Sequence, residues 1–165
     1  MQNTIVHIIP FESHLSVHFK HLNVQWLQRY FEVEPKDELL LDHCEENIIA
    51  QGGYIFFAQW DAKIVGCFSF LKIDQFVFEL GKMAVDPNYQ GLKIGQSLLQ
   101  FAIAFAKAKG WKKIILYSNT KLVNALYIYT KFGFTEVALE KDIPYLRSNI
   151  KMEYNLMDTH TWTRK

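Results

Sequence analysis

One segment constrains the fold of this chain more than any other: an apolar strand that runs through a glycine-bearing turn directly into an amphipathic helix. The strand is predicted over residues 76–85, the turn ends at Gly95, and the helix ends at Gly110. The apolar stripe of the helix consists of Ile94, Leu98, Ala102, Phe105 and Ala106. N–H groups at the start of a helix have no acceptor within it, and the helix dipole makes this end positive. The segment therefore predicts an anion site at the helix N-terminus.

The other apolar patterns place this segment in one mixed α/β domain. Helical spacing predicts further helices over residues 13–31, 35–50 and 122–132. Alternating or β-branched runs predict the other strands over residues 4–9, 54–60, 63–72, 111–117, 134–139 and 149–156. The resulting order is β-α-α-β-β-β-α-β-α-β-β, which is that of an α/β protein. We expect residues 1–157 to form a single domain and residues 158–165 to form a polar C-terminal tail.

Charge and composition argue against several classes of protein. The net charge of +1 argues against a protein that coats nucleic acid or an acidic membrane, so we expect neither partner. We see no signal peptide and no uninterrupted apolar run long enough to span a membrane. Cys44 and Cys67 have no metal or redox spacing, and two buried thiols in a reducing cytosol are the simplest explanation. A cytoplasmic location is therefore expected.

Two local clusters of polar residues each have two interpretations. Between Glu32 and Glu46, seven acidic residues stand against one base. This run is either a solvated helix face with its loop or an acidic lip that attracts a cationic amine. Three histidines, His14, His18 and His21, share a helix face with a spacing that can bind zinc. No nearby cysteine completes the set, although Glu12 could, and we expect a partly exposed helix face and no metal.

Three motifs, in order and at matching spacing, carry a resemblance to a known family. They are Glu79-Leu80 with residues 83–87 on the strand, residues 90–95 in the turn, and Ala125 with residues 128–134 further on. From residue 79 to residue 134 the chain resembles the GNAT superfamily of N-acetyltransferases. The resemblance implies a GNAT-like fold, with a central, mostly antiparallel mixed sheet and helices on both faces. It also implies that acetyl-CoA is the acetyl donor, so that the chain is an acyltransferase that binds coenzyme A.

The turn departs from the family pattern at one position. That pattern is [QR]-x-x-G-x-[GA], and Gln90 and Gly95 fit it, but Lys93 replaces the inner glycine. The lysine either places its ammonium near a phosphate or points to solvent. The departure bears on the geometry of the turn and leaves the class of cofactor unchanged.

The predicted cofactor site combines the strand end, the turn and an asparagine. The backbone of residues 83–85 is expected to pair with the pantetheine arm, and its splayed end to offer an N–H to the thioester oxygen. The family often carries an asparagine where this chain has Leu122, so Asn119 or Asn124 is expected to substitute for it. The predicted cofactor-binding residues are Met83, Ala84, Val85, Gln90, Gly91, Leu92, Lys93, Ile94, Gly95, Gln96, Asn119 and Asn124.

Two residues are predicted to carry the chemistry. Glu79 matches the position of a glutamate in many members of the family, and its apolar neighbours should raise its pKa, which suits a general base acting through a water. The alternative is a glutamate that is paired with a lysine or points to solvent. Tyr129 matches the family's tyrosine and is predicted to be the general acid for the coenzyme A thiolate. The alternative is a packing tyrosine. Tyr127 points in a different direction on the same helix.

The acceptor side is expected to be built by the first two helices and residues 139–149. Its predicted residues are Trp26, Tyr30, Phe31, Tyr145 and Arg147, with core or surface packing as the alternative. Arg147 would suit an acceptor that carries a carboxylate. The predicted function is acetyl transfer to a primary amine by direct attack in a ternary complex. The alternative function is a non-catalytic acyl-CoA-binding sensor or regulatory module. The acceptor, a small molecule or a peptide, stays open, and a homodimer is compatible with the aromatic content.

Overall fold

The computed structural model of the protein describes residues 5–157. This part of the chain forms seven strands: β1 (His7–Pro10), β2 (Tyr54–Trp60), β3 (Lys63–Lys72), β4 (Val77–Val85), β5 (Lys113–Ser118), β6 (Thr135–Val137) and β7 (Ile150–Asn155). It also forms four α-helices: α1 (Ser16–Tyr30), α2 (Pro35–Asp42), α3 (Ile94–Lys109) and α4 (Val123–Phe132). The predicted order of elements and the mixed α/β fold are confirmed. Thr4 of the predicted first strand and the predicted tail of residues 158–165 lie outside the described residues, and the single domain stays a prediction.

The seven strands form one sheet in the order β1-β2-β3-β4-β5-β7-β6, and every neighbouring pair is antiparallel except β4 and β5. Successive side chains of a strand point to opposite faces, so each strand contributes to two cores. Phe56 belongs to the core that includes Leu98 of α3, whereas Phe57 belongs to the core that includes Phe19 of α1. The helices therefore cover both faces of the sheet, as expected.

The second predicted helix is shorter than its sequence pattern. One continuous helix was expected over residues 35–50, but α2 ends at Asp42 and a single π-helical turn occupies Glu45–Ile49. His43 leaves the helical region with φ −133° and ψ 50°. The side-chain amide of Asn47 donates to the carbonyl oxygens of Leu39 and His43, which accounts for two carbonyls near the break. The apolar spacing persists across the break, so the sequence pattern could not reveal it.

The middle of the sheet opens where β4 and β5 part. These two parallel strands pair at only three positions, from Val77 with Lys113 to Glu79 with Ile115. Beyond Glu79, β4 stays paired with β3, and β5 stays paired with β7. The backbone of residues 80–85 therefore presents one edge to a wedge in the sheet, into which another extended group can fit.

Candidate active site

A cleft of about 810 Å³ occupies the wedge between β4 and β5. Its walls come from β4, the N-terminus of α3, the end of β5, α4, the end of α1 and the loop before β7. Both predicted catalytic residues and all five predicted acceptor residues line it. The predicted cofactor residues that line it are Met83, Ala84, Val85, Gln90, Gly91, Lys93, Ile94, Gly95, Gln96, Asn119 and Asn124. Leu92 is the exception among the described residues, since it is exposed outside this lining.

One end of the cleft is formed by the N-terminus of α3. No side chain in the described part of the chain caps this helix, so its first N–H groups are available to an acceptor from outside it. Gly95 lies in its first turn, and a Cβ built there would have Val85 Cγ2 as its nearest neighbour, at 4.0 Å. Protein packing therefore does not require a glycine at position 95, and the space beside it belongs to the cleft.

Lys93 has a backbone conformation that explains the glycine of the family pattern. It precedes α3 with φ 61° and ψ 25°, the left-handed region that favours glycine. Its side chain is exposed and forms no hydrogen bond or ion pair with any residue of the described range 5–157. The ammonium is therefore not committed to a protein partner there, and its contact with a phosphate stays a prediction.

Glu79 lies at the last position of β4 that pairs with β5, where the wedge begins. The residue is only 5% exposed, and burial raises the pKa of its carboxyl, while Lys36 and Lys82 oppose the rise. Within residues 5–157 its side chain makes neither a hydrogen bond nor an ion pair, so it is not the lysine-paired or solvent-facing glutamate of the alternative interpretation. This arrangement suits a group that takes a proton, and the role itself stays a prediction.

Tyr129 lies on the side of α4 that faces the cleft and the core. Its ring packs against Phe134 with the ring centroids 5.9 Å apart, and burial raises the pKa of its phenol to about 12. Tyr127, two residues earlier, is 64% exposed and does not line the cleft. A phenol with a raised pKa stays protonated at neutral pH, which is the state that a proton donor needs.

The two candidate asparagines have different surroundings. Asn119 donates to the carbonyl oxygen of Arg147 over 2.7 Å and accepts from the N–H of Lys121 over 2.9 Å. Its amide thus holds the loop before β7 against the end of β5. Asn124 is exposed on the cleft side of α4 and has no side-chain hydrogen bond within the described chain. Of the two, Asn124 is the one whose amide is not already used.

Aromatic side chains from the end of α1 form one wall of the acceptor side. The ring centroid of Trp26 lies 5.2 Å from that of Tyr30 and 5.7 Å from that of Phe31. Lys121 reaches this wall from the loop before α4, with its Nζ 4.2 Å above the Phe31 ring and bonded to the Tyr30 carbonyl. The wall is thus apolar with one cation at its edge.

A buried ion cluster that the sequence analysis did not predict lies beside this wall. The side chain of Asp37, fully buried, binds Lys82 Nζ at 2.6 Å and the guanidinium of Arg147 at 2.7 and 2.9 Å. Glu34 accepts from the same guanidinium at 3.3 Å and from the backbone N–H groups of Leu146 and Arg147. Arg147 is therefore already bound to two carboxylates, which argues against the expectation that it holds an acceptor's carboxylate.

The acidic run of residues 32–46 does not form a lip of the cleft. None of its acidic residues lies in the described lining, in which Glu79 is the one carboxylate. Two of its members belong to the ion cluster, Asp42 pairs with Lys20 at 2.8 Å, and Glu45 accepts from Ser13. The run therefore holds the helices in place more than it faces an acceptor.

No three His, Cys, Asp or Glu side chains among residues 5–157 are arranged for a metal ion. Every helix in that range is too short or too polar to cross a membrane.

One sequence signal could have revealed part of the ion cluster. Lys82 follows Gly81 in the middle of a strand that is apolar apart from Glu79, and a glycine inside such a strand often marks a bulge. Asp37 follows Pro35 in the first turn of a helix and closes a capping box with Glu34. That signal predicts the helix start, but it does not identify Lys82 as a partner, because the two residues are 45 positions apart.

The chain is similar in sequence to known acetyltransferases. The model of the acetyltransferase (GNAT) family matches residues 21–134. A mycothiol acetyltransferase of Cellulomonas flavigena is 31% identical over 64 residues, which are 39% of this chain and 18% of that protein. The mycothiol acetyltransferase of Amycolatopsis mediterranei is 37% identical over 71 residues, which are 43% of this chain and 23% of that protein. The matched segment thus spans about a fifth of the length of these curated relatives.

Solved structures extend the likeness over the whole fold. A GNAT-family acetyltransferase from Staphylococcus aureus Mu50 superposes with a TM-score of 0.81 and 26% identity, covering 92% of this chain and 99% of that one. A GNAT-family acetyltransferase from Elizabethkingia anophelis, solved with acetyl-CoA bound, superposes with a TM-score of 0.66 and 22% identity, covering 91% and 97%. The second likeness is one of fold alone.

Proposed function

This chain belongs to the acetyltransferase (GNAT) family, and from that premise we propose that it transfers the acetyl group of acetyl-CoA to a primary amine. The observation that carries the proposal is the position of Glu79. Its buried carboxylate, with a raised pKa, lies where β4 and β5 part, in the same cleft as an uncapped helix N-terminus. An acceptor amine and an anionic cofactor thus have complementary groups in one cavity.

The cleft has a matching feature for each part of the cofactor. The N-terminus of α3 suits the pyrophosphate, because N–H groups and the helix dipole both favour an anion there. The edge of residues 80–85, which β5 does not pair, suits the amide-bearing pantetheine arm as an added strand would. The acetyl-CoA bound to the Elizabethkingia anophelis protein supports the same cofactor for a chain of this fold.

The proposed reaction is a direct transfer within a ternary complex. Glu79, through a water, takes a proton from the acceptor ammonium, and the neutral amine attacks the thioester carbonyl carbon. The new C–N bond forms while the carbonyl electrons move to the oxygen, for which N–H groups of β4 are the proposed donors. The carbonyl re-forms as the C–S bond breaks, and Tyr129 gives its proton to the departing thiolate. The nitrogen, cationic after the attack, loses its second proton through water to the Tyr129 phenolate, which restores the phenol. The raised pKa values of Glu79 and Tyr129 support these roles, since the first makes a stronger base and the second keeps the phenol protonated.

The acceptor is proposed to be an amine with an apolar or aromatic portion, in a small molecule or a peptide. The aromatic wall at the end of α1 supports such a portion, and Glu79 is the one carboxylate in the described lining to attract the amine. The relatives named as mycothiol acetyltransferases support a small-molecule acceptor, but the match covers only a fraction of their length. A cytoplasmic location and a homodimer stay predictions.

The test is the release of coenzyme A thiol from acetyl-CoA across a panel of small and peptide amines. We expect turnover by the wild type and a loss of about 10²- to 10⁴-fold in kcat for Glu79→Gln, with acetyl-CoA binding retained. Tyr129→Phe should likewise lower kcat. Tyr127→Phe, which alters an exposed tyrosine of the same helix, is the matched control and should keep wild-type activity. If the cofactor binds but no amine gives turnover above the Glu79→Gln, Tyr129→Phe double variant, the acyl-CoA-binding module is the better description.

A further inference from the structure

The strand that carries Glu79 contains a β-bulge three residues further along. In the pairing of β3 with β4, Ser69 lies opposite Gly81, and Cys67 lies opposite Ala84. Residues 82 and 83 therefore face a single residue of β3. Lys82 has φ 52°, a left-handed conformation that side chains other than glycine rarely adopt. The bulge redirects the backbone of β4 at the point where the strand borders the cleft.

Side chains of neighbouring elements hold the bulge on the β3 side. Ser69 Oγ donates to the carbonyl oxygen of Gly81 at 3.2 Å, and Cys67 Sγ donates to that of Lys82 at 3.5 Å. The thiol is in turn fixed by the side-chain amide of Asn23, at 3.3 Å, which also donates to the carbonyl of Phe19. The two carbonyls at the bulge thus point toward side chains of β3, a strand that does not line the cleft.

On the opposite side, the bulge is held by its own lysine. The Lys82 side chain is 5% exposed, and its Nζ binds Asp37 of α2 at 2.6 Å. The same Nζ lies 4.5 Å from the ring centroid of Tyr145 and donates to its hydroxyl at 3.4 Å. Asp37 also binds Arg147, so the ammonium joins the bulge to α2 and to the loop before β7 through one carboxylate.

We propose that Lys82 is a positioning residue of the acetyl-transfer site, whose ammonium, held by Asp37 and Tyr145, keeps the bulge of β4 in the conformation that aims its N–H groups at the thioester carbonyl. The inference rests on the proposed function. It adds that α2 and the loop before β7 influence the geometry at the reacting bond through the side chain of Lys82. The geometry of the thioester site therefore depends on a contact that spans three elements.

A role in stability alone does not account for a lysine at this position. Glycine adopts a left-handed backbone at lower cost, and an apolar residue avoids the cost of burying an ammonium. A buried ion pair is a weak source of stability compared with apolar packing. The chain nevertheless combines an unfavourable backbone conformation with a buried charge, three residues along the strand from Glu79. Such a combination is expected where a backbone conformation has to be held for function.

The experiment compares three substitutions of Lys82 in the full chain. Lys82→Met removes the ammonium and keeps the length of the side chain, and Asp37 retains Arg147 as its partner. Lys82→Arg keeps a cation, and Lys82→Gly keeps the left-handed backbone without any anchor. Lys72→Met, at an exposed lysine of β3 outside the cleft lining, is the matched control. The readouts are kcat, the KM for acetyl-CoA, and the carbonyl ¹³C chemical shift of bound [1-¹³C]acetyl-CoA.

For Lys82→Met and Lys82→Gly we expect kcat to fall on the order of 10- to 100-fold, as for a small misplacement of reacting groups. The KM for acetyl-CoA should change by less than about threefold, because the phosphate and pantetheine contacts remain. The carbonyl shift should return toward that of free acetyl-CoA, since the shift reports hydrogen bonding to the carbonyl oxygen. Lys82→Arg should recover most of kcat, and Lys72→Met should match the wild type.

A folded Lys82→Met protein with the wild-type kcat and carbonyl shift would overturn the inference, as would a loss in Lys82→Arg equal to that in Lys82→Met. If Lys82→Met does not fold, Lys82→Gly decides, because it removes the left-handed strain and leaves the anchor absent. If the wild type binds acetyl-CoA but acetylates no amine, the proposed function fails. The carbonyl shift still tests the positioning role in that case, since it needs no turnover.

Discussion

At the residue scale, the cleft contains side chains whose surroundings, more than their type, determine what they can do. Glu79 and Glu34 are both glutamates near the acceptor side, but Glu34 is bound to Arg147, whereas Glu79 has no hydrogen-bonded or ionic partner among residues 5–157. Lys82 and Lys93 both have a left-handed backbone conformation, but the side chain of Lys82 is buried in an ion cluster and that of Lys93 is exposed. Single substitutions of Glu79 and Lys93 therefore test the proposed chemistry most directly.

Glu79→Gln is expected to raise stability at neutral pH while it removes activity. Burial raises the pKa of Glu79 in the folded state, so this state retains the proton at pH values where the unfolded chain has lost it. The contribution of Glu79 to stability is therefore greatest below its unfolded pKa and falls as the pH rises through the folded pKa. Glutamine resembles the protonated form and should add about 1 kcal/mol to the free energy of unfolding at pH 7 to 8. Urea unfolding at pH 5 and pH 8 checks this.

The control for that prediction is Glu136→Gln, at an exposed carboxylate of β6, which should leave both the stability and its pH dependence unchanged. Equal gains in stability for Glu79→Gln at both pH values would contradict the assignment. In the activity assay, kcat/KM of the wild type should rise with pH through a pKa above that of an ordinary glutamate. This limb of the profile should be missing in the variant.

Lys93→Gly and Lys93→Asn separate the backbone of the turn from the charge of the lysine. Both residues accept a left-handed conformation, so both variants should fold, and the glycine variant should gain up to about 1 kcal/mol in stability. If the ammonium contacts a phosphate, both should bind coenzyme A about three- to fivefold more weakly, with a smaller dependence on salt. Isothermal titration at two salt concentrations measures this. Unchanged affinity in both variants would show that the lysine points to solvent.

At the scale of elements, the strand–turn–helix unit of β4 and α3 joins the fold to the site. Because β4 pairs with β5 at three positions only, the same strand that stabilises the sheet also supplies an edge to the cleft. The first turn of α3 is anchored in the core by the buried side chain of Ile94, yet the N–H groups of this turn are uncapped within the described chain. Both elements therefore pack into the fold with one part and leave backbone hydrogen-bonding groups without a protein partner at the cleft with the other.

Gly95→Ala is expected to separate stability from cofactor binding. A Cβ at position 95 fits the protein, with Val85 Cγ2 at 4.0 Å as its nearest neighbour, and alanine is a better helix former than glycine. The variant should gain about 0.5–1 kcal/mol in stability. It should bind acetyl-CoA on the order of tenfold more weakly, because the methyl group occupies the cleft where the phosphates approach the backbone. Thermal unfolding and equilibrium binding measure the two effects. Gln100→Ala, on the exposed side of α3, should not affect binding.

The hairpin between β2 and β3 offers a test of the fold away from the site. Asp61 and Ala62 form its two-residue turn, and both have positive φ, as a type I′ turn requires. Ala62→Gly should therefore raise the free energy of unfolding by about 0.5–1 kcal/mol, since glycine adopts φ 66° at less cost than alanine. Ala104→Gly, at an exposed position inside α3, should cost about 1 kcal/mol. Gains or losses of the same sign in both variants would contradict this account.

At the scale of the whole molecule, the ion cluster joins parts of the chain that are far apart in sequence. Asp37 lies 45 residues from Lys82 and 110 residues from Arg147, so its carboxylate connects α2, β4 and the loop before β7. At the other end of the same loop, Glu140 accepts a hydrogen bond from Tyr117 at the end of β5 and pairs with Lys151 of β7. Side chains therefore hold both ends of the loop that closes the acceptor side.

Asp37→Asn should destabilise the protein by about 3–5 kcal/mol at pH 7, because it leaves the buried ammonium of Lys82 without a carboxylate and Arg147 with Glu34 alone. Burial opposes ionisation of Asp37, but the hydrogen bond from Arg147 and the charge of Lys82 lower its pKa to about 2. The stability that this group contributes is therefore present above its unfolded pKa, near 3.8, and is lost as the pH falls toward 2. The variant should lose this part of the acid dependence, as followed by circular dichroism.

Asp42→Asn is the matched control, since it makes the same substitution in the same helix at the half-exposed pair with Lys20. It should cost no more than about 1 kcal/mol. Similar losses for the two variants would show that the cluster has no special weight in the stability of the molecule.

The sequence by itself determined the order of elements, the uncapped helix start after a glycine-bearing turn, and the cleft-lining positions of Glu79 and Tyr129. These features depend on local periodicity and on short motifs, which act over a few residues. Only the tertiary structure decided the parting of β4 and β5, the left-handed bulge at Lys82, and the pairing of Asp37 with Lys82 and Arg147. The reason is physical: partners in a sheet or an ion cluster are chosen by the packing of distant elements, and no local pattern encodes which carboxylate a buried lysine will meet.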